Sequence, residues 1–335
     1  MTMNAGTQLH AHDRRHLRPI AAVDIGSNSI HLTLARVDER GEIEVLEKHK
    51  YPARLADTIR PDKTMSADGI ERTVETLKKF RDVATKHQAE VRATATAAVR
   101  AARNRKELLS RVAREAGIEV DVISGKQEAR LTYSGVMYGL PHLSARQVLC
   151  VDVGGGSTEL LVGLGGRAER ATSARVGSAV ISKRFFGSDP VTFEQIRLAR
   201  RNLRHTLWHH VRGARDHGFE HAVATSGTIK RVVKLAHGIG ALPESAGNQN
   251  SVWLPREALD AVVDALAAAP TRAERLALPG MDPTRVDVML SGALIFETLT
   301  RMMDLDGWTV SSAALRTGLI LETLRRRTAP GTEKP

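Results

Sequence analysis

Near the start of the chain the apolar positions fill AAVDI (21–25) apart from Asp24 and give way to the polar GSNS (26–29). They then alternate through Leu32 and Leu34 in HLTLARVD (31–38). That pattern predicts strand, tight turn and strand. A further strand, EIEVLEKHKY, follows the ERG turn, so the chain opens as a meander. Ile70, Val74, Leu77 and Phe80 recur at helical spacing, EVRATATAAV (90–99) reads as a strand, and 104–116 reads as a helix stopped by Gly117. The strand IEVDVI delivers the chain to Ser124, which has capping-box spacing to Gln127, and Val136, Met137 and Leu140 continue that helix.

PHLSAR (141–146) breaks the pattern, and then the opening theme returns. VLCVDV (148–153) reads as a strand, GGGS as a turn, TELLVGLGG as a strand and RAERATSARVG as another. Strand, aspartate, glycine-containing turn and strand thus occur at Asp24 and again at Asp152, 128 residues apart, which predicts two halves of similar fold facing each other. Beyond them lie an amphipathic helix over about 193–211, a strand HAVATS, a helix from Thr228, a polar loop 240–251 and helices to the end. The segment VDVMLSGALIFETLTRMM (286–303) reads as core, and the last helix, about 313–327, follows a strand and is placed to pack back on the first half. The expected organisation is a basic disordered tail 1–18, a first unit 19–145 completed by 313–328, a second unit 146–312, and a tail 329–335.

A length of 335 residues suits two domains, and two domains imply a cleft. Lysine and arginine number 49 against 38 acids, a net charge of +11, so the field around the protein gathers anions. Aromatics are only 4%, which leaves little to stack single-stranded nucleic acid on and favours a phosphate-rich small molecule or polymer. The single cysteine, Cys150, excludes a disulfide framework and points to a reducing compartment, the cytoplasm. Residues 1–18 lack the apolar core of a signal peptide, and no run approaches the roughly 20 apolar residues of a membrane span. His10, His12 and His16 in that tail read as solvated rather than as metal ligands. The basic helix RLARRNLRHTLWHHVRGAR (197–215) reads either as a polymer track or as a solvated face, two readings that differ in salt dependence.

Candidate chemistry sits at three turns. In DIGSNS (24–29) and DVGGGST (152–158), Gly26, Ser27, Asn28, Ser29, Gly154, Gly155, Gly156, Ser157 and Thr158 can form nests of amides and hydroxyls for phosphate oxygens. Asp24 and Asp152, each ending a strand, can hold a divalent cation, usually through water. Either turn alone is also an ordinary hairpin; two copies facing across a cleft favour phosphate. In ATSGTIKRV (224–232), Ser226, Gly227, Thr228 and Lys230 offer helix N-terminal amides and a positive charge, or a plain N-cap. In ISGKQEAR (123–130), Glu128 is either a first-turn acid favoured by the helix dipole or a base aimed at an anion, and these residues alone leave the choice open.

VDIGSNSIHL, the segment ending AAVR, ISGKQEARLTYSGV, VDVGGGSTEL, ATSGTIK and ALRTGLI resemble, in order, the signatures of the exopolyphosphatase/guanosine pentaphosphatase family, across about residues 20–327. The resemblance implies an α/β chain with two ribonuclease-H-like domains of the actin-like ATPase superfamily around a central cleft. It implies Glu128 as the catalytic base that activates water, Arg100 as a neutraliser of phosphoryl charge, and Asp152 and Glu159, with Asp24, near magnesium. The glycine turns and Ser226, Gly227 and Thr228 match phosphate contacts. Magnesium or manganese as cofactor, stimulation by potassium, inorganic polyphosphate or guanosine pentaphosphate as substrate, and a homodimer follow as expectations. Against these roles stand a solvated charge for Arg100, beside Arg103 and Arg105, and a cross-strand salt bridge for Glu159. The chain departs from the family pattern at Gln127 and Thr317, where acids are usual, and at Thr58 and Arg60 in RLADTIRPD, where glycines are usual. Long relatives add a C-terminal helical domain with a histidine–aspartate signature; its lack here implies a shorter grip on polymer and a preference for short chains. Rival readings are a kinase of the same superfamily and a non-catalytic sensor of polyphosphate or a guanosine alarmone.

Overall fold

The computed structural model describes residues 18–38, 40–243 and 251–328. The expected tails, apart from Arg18, and most of the polar loop 240–251 lie outside the described residues. Strands β1 (Ile20–Ile25), β2 (Ile30–Val37) and β3 (Ile43–Tyr51) form an antiparallel meander. Strands β4 (Glu90–Ala95) and β5 (Val120–Val122) extend it in parallel, giving the order β3-β2-β1-β4-β5. Strands β6 (Gln147–Val153), β7 (Thr158–Leu164) and β8 (Arg167–Ala174) repeat the meander. Next come β9 (His221–Thr225), β10 (Ser251–Pro255) and β11 (Gly307–Ser311); β9 pairs in parallel with β6 and with β11, and β10 closes the edge antiparallel to β11. Within the second sheet the run β8-β7-β6-β9-β11 therefore has the order and directions of the whole first sheet. The chain is an α/β protein of two ribonuclease-H-like units, the actin-like ATPase architecture, around a central cleft.

Helix α1 (Ala67–Lys86) starts where Ser66 accepts from the Gly69 amide, and it buries Ile70, Val74, Leu77 and Phe80 on the first sheet. The expected strand 90–99 ends at Ala95. Thr96 turns the chain, its amide bonded to the Ile25 carbonyl, and α2 (Ala97–Ala101) follows, because small alanines fit a helical turn as readily as a strand. Helix α3 (Arg105–Ala116) is capped by Gly117 at φ +64°. Helix α4 (Gly125–Gly139) carries the capping box Ser124–Gln127. After α5 (Ser178–Phe185), α6 (Phe193–His217) runs past the expected end at 211, since Val211 and Ala214 continue its buried face. Helices α7 (Gly227–Gly238), α8 (Arg256–Ala267), α9 (Arg272–Ala277) and α10 (Val286–Met303) surround the second sheet, with α10 buried on nearly every side. Strand β10 interrupts what the sequence presented as helix.

The expected division at residue 145 places α4 in the first unit, yet its buried face, Ala129, Tyr133 and Val136, packs on Val148, Cys150 and Leu161 of the second sheet. Helix α11 (Leu315–Thr328) crosses the other way: Leu319 and Ile320 cover Ile20, Ala22, Ala35 and Val37 of the first sheet. The two helices meet closely where Gly318 lies against the Leu131 carbonyl and Gly135 against the Ala314 carbonyl. Together they link the two sheets. Among the described residues no helix is long and apolar enough to cross a membrane.

Candidate active site

The two glycine turns close alike: the Gly26 amide donates to the Ser29 carbonyl at 3.2 Å, and the Gly154 amide to the Ser157 carbonyl at 2.9 Å. The first turn is propped by the loop that carries Thr58, whose Arg54 and Ala56 amides each donate at 2.8 Å to the Asn28 and Ser27 carbonyls. The turns face each other in near contact. A methyl group on Gly156 would sit 2.8 Å from both Ala97 Cβ and Ser27 Oγ, and one on Gly155 would sit 3.2 Å from Ser27 Cβ. Glycine is demanded here by the approach of the two domains, not by φ.

Between the turns lies a cleft of about 300 Å³. Gly26, Ser27, Asn28 and Ser29 line it from the first domain, Gly154, Gly155, Gly156 and Ser157 from the second. Ser226, Gly227, Thr228 and Lys230 add the N-terminus of α7. Ser226 holds a strained φ of +130°, and its Oγ caps that helix by accepting from the Thr228 and Ile229 amides. Thr158 is a correction to the expected phosphate contacts. It opens β7 with its side chain turned into the core, and its hydroxyl donates to the Val176 carbonyl at 2.6 Å.

Carboxylates form one wall. Asp24, Asp152 and Glu128 line the cleft, while Glu159 sits behind them, buried, accepting from Ser173 Oγ at 2.7 Å. Register explains Glu159: it stands directly across from Asp152 on the neighbouring strand. Two like charges in that position repel, so the cross-strand salt bridge is absent, and a bound cation would relieve the pair. Burial pushes Asp152 up to about 8, reinforced by Glu159 and Asp24. Burial also raises Glu159 to about 7 and Asp24 to about 6, the latter against Arg316 at 3.8 Å. Asp24 Oδ1 is buried without a partner. Among the described residues no three His, Cys, Asp or Glu side chains gather into a direct metal cage. An orphaned acceptor beside crowded acids fits a hydrated divalent cation that keeps part of its shell for water and substrate oxygens.

Glu128 is mostly buried, and burial, then Glu159, raises its pKa well above the carboxylate range, with Arg100 opposing. Arg100 does not line the cleft. Its Nη1 lies 3.0 Å from Glu128 Oε2 and donates to the Ile123 carbonyl at 2.8 Å, which makes it a holder of Glu128 rather than a solvated charge. The sequence did not single out several cleft residues. Arg231, Arg285, Arg316 and Lys50 bring further cations, and His31 also lines the cleft. Arg285 reaches across the domains to Ser29 Oγ at 3.3 Å, and Arg316 Nε donates to Thr33 Oγ1 at 3.0 Å. His31 takes the repeat position of Glu159, since Asp24 pairs with His31 as Asp152 pairs with Glu159; aligning the two turns could have found it. Burial and neighbouring Arg316 press His31 down to about 3, leaving it neutral. Burial and Arg316 lower Lys230 to about 8. The basic helix, α6, contributes no residue to the cleft, and its Arg197 and Arg200 pair with Glu194 and Glu297.

A cleft lined together by cations, backbone amides and acids suits a polyanion bound with a metal ion. The sequence profile of the Ppx/GppA phosphatase family matches residues 33–327. Over 309 residues the chain is 30% identical to exopolyphosphatase 1 of Mycobacterium tuberculosis (strain ATCC 25618 / H37Rv), covering 91% of this chain and 88% of that protein. The crystal structure of an exopolyphosphatase from Cytophaga hutchinsonii ATCC 33406 superposes with a TM-score of 0.84 at 25% identity, covering 92% of this chain and 98% of that one. The Aquifex aeolicus member of the Ppx/GppA family superposes with a TM-score of 0.78 at 27% identity, covering 93% and 99%.

Proposed function

The chain belongs to the Ppx/GppA phosphatase family, and from that premise we propose that it is a cytoplasmic exopolyphosphatase releasing terminal orthophosphate from inorganic polyphosphate. The observation that carries the proposal is the meeting of the twin glycine turns across one cleft with Glu128 on its wall.

Amides of Ser27–Ser29 and Gly155–Ser157, the α7 N-terminus and Lys230 bind and orient the end of the polyphosphate chain. Arg285 and Arg316 offset its charge from the opposite flank. Glu128 accepts a proton from the water that attacks the terminal phosphorus; the bridging P–O bond breaks, orthophosphate departs, and the shortened chain keeps the bridging oxygen. Arg100 keeps enough Glu128 ionised to act, against the acids around it. Asp152, Glu159 and Asp24 would hold a magnesium or manganese ion through water, and that ion supplies charge neutralisation on the phosphoryl oxygens when bound.

Guanosine pentaphosphate ends in the same phosphoanhydride and is the alternative substrate. Orthophosphate release is to be measured with magnesium on polyphosphate of defined lengths and on guanosine pentaphosphate, with potassium varied. Turnover of polyphosphate is the expected result. Turnover of guanosine pentaphosphate alone would reassign the substrate, and binding without release from either would make the protein a sensor.

A further inference from the structure

We propose that a second cavity, behind the catalytic helix, binds the phosphate of a nucleotide and through α4 adjusts the Glu128–Arg100 pair. It lies on the opposite side of α4 from the cleft, walled by β5, α4 and α11, and measures about 530 Å³, the size of a nucleotide site. Arg92, Arg130, Arg325 and Arg326 converge on it against the carboxylates Asp121 and Glu322. Those carboxylates are engaged, with Arg92 at 2.8 and 3.8 Å and with Arg326 at 3.2 Å. Arg130 is exposed and has no hydrogen-bond or ion-pair partner among the described residues, and Arg325 reaches only Ser134 Oγ, at 3.5 Å. Two guanidinium forks without carboxylates, beside the apolar Val122 and Leu131, match a phosphate joined to a flat ring.

The coupling is short. Gln127 and Arg130 border this cavity while Glu128, between them, borders the cleft. Ile123 also lines the cavity, and its carbonyl anchors Arg100. A ligand bridging Arg130 and Arg325 ties α4, which carries Glu128, to α11, and so biases the position of α4.

The site does not depend on what the cleft hydrolyses; only the rate measurement below rests on that reading. The probe is labelled adenosine 3′,5′-bisphosphate, which has no phosphoanhydride to cleave, in equilibrium dialysis with the full chain. Saturable binding is expected. Arg130→Glu with Arg325→Glu should weaken it about tenfold or more while leaving unliganded turnover and Tm at parent values. Should the double variant be destabilised, Arg130→Gln alone, at an exposed position, should weaken binding in the same direction. In the parent the probe should change kcat on polyphosphate by about twofold or more, an effect absent in the variant. No saturable binding, or unchanged affinity in the variants, would overturn the site. Binding with no change in kcat would overturn the coupling.

Discussion

At the scale of single residues, some side chains touch the cleft and others act through a neighbour. Arg100 holds Glu128 and stands back from the cleft, so Arg100→Ala should lower kcat more than it raises KM. Losing that cation leaves Glu128 among like charges, which raises its pKa further, so the acidic limb of the kcat pH profile should move up by about one pH unit or more. A merely structural arginine would leave that limb in place. Lys230 gives a second pH test. In the proposed mechanism it binds the anion when protonated, and burial lowers it to about 8, so inhibition by orthophosphate should weaken as pH rises through about 8. Lys230→Arg should hold inhibition steady to higher pH, since arginine stays charged. The motif residues were legible because small and hydroxyl side chains at strand ends are locally diagnostic. Arg285 was not: it belongs to the cleft only because the segment before α10 swings it onto Asn28 and Ser29, more than 250 positions away in the chain.

Among the elements, strands with alternating or continuous apolar runs and helices with caps were readable, and the exceptions share a cause. The alanines of 93–98 pack equally well in a strand or a helical turn, so the end of β4 is fixed by the Thr96–Ile25 hydrogen bond, a tertiary contact. Strand β10 has five residues and ends in Pro255; it exists by pairing with β11. Thr158 was read as the first residue of a strand, as it is; its expected phosphate contact fails because the sequence does not show that the hydroxyl turns inward to the Val176 carbonyl. The glycine turns make an element-scale prediction. Gly156→Ala inserts a methyl group into the interdomain contact and should lower kcat/KM about tenfold or more, read by orthophosphate release. Gly187→Ala, with open space around the position, should behave as the parent.

For the whole molecule, the repeat of Asp24 at Asp152 announced two similar halves, and the strand orders bear that out. The last helix, α11, was expected to pack back on the first half and covers its sheet; the crossing of α4 was hidden, because that helix shows an apolar face without showing which sheet it covers. A net charge of +11 should steer polyanions to the cleft, so kcat/KM on polyphosphate should fall with added salt while kcat changes little. The central claim is that Glu128 primes water for attack between the facing turns. It is tested most directly by orthophosphate release from polyphosphate of defined length, with substrate binding measured in parallel, in Glu128→Gln and the parent. Turnover should fall by roughly 10² to 10⁴ with binding largely kept; turnover equal to the parent's would contradict it.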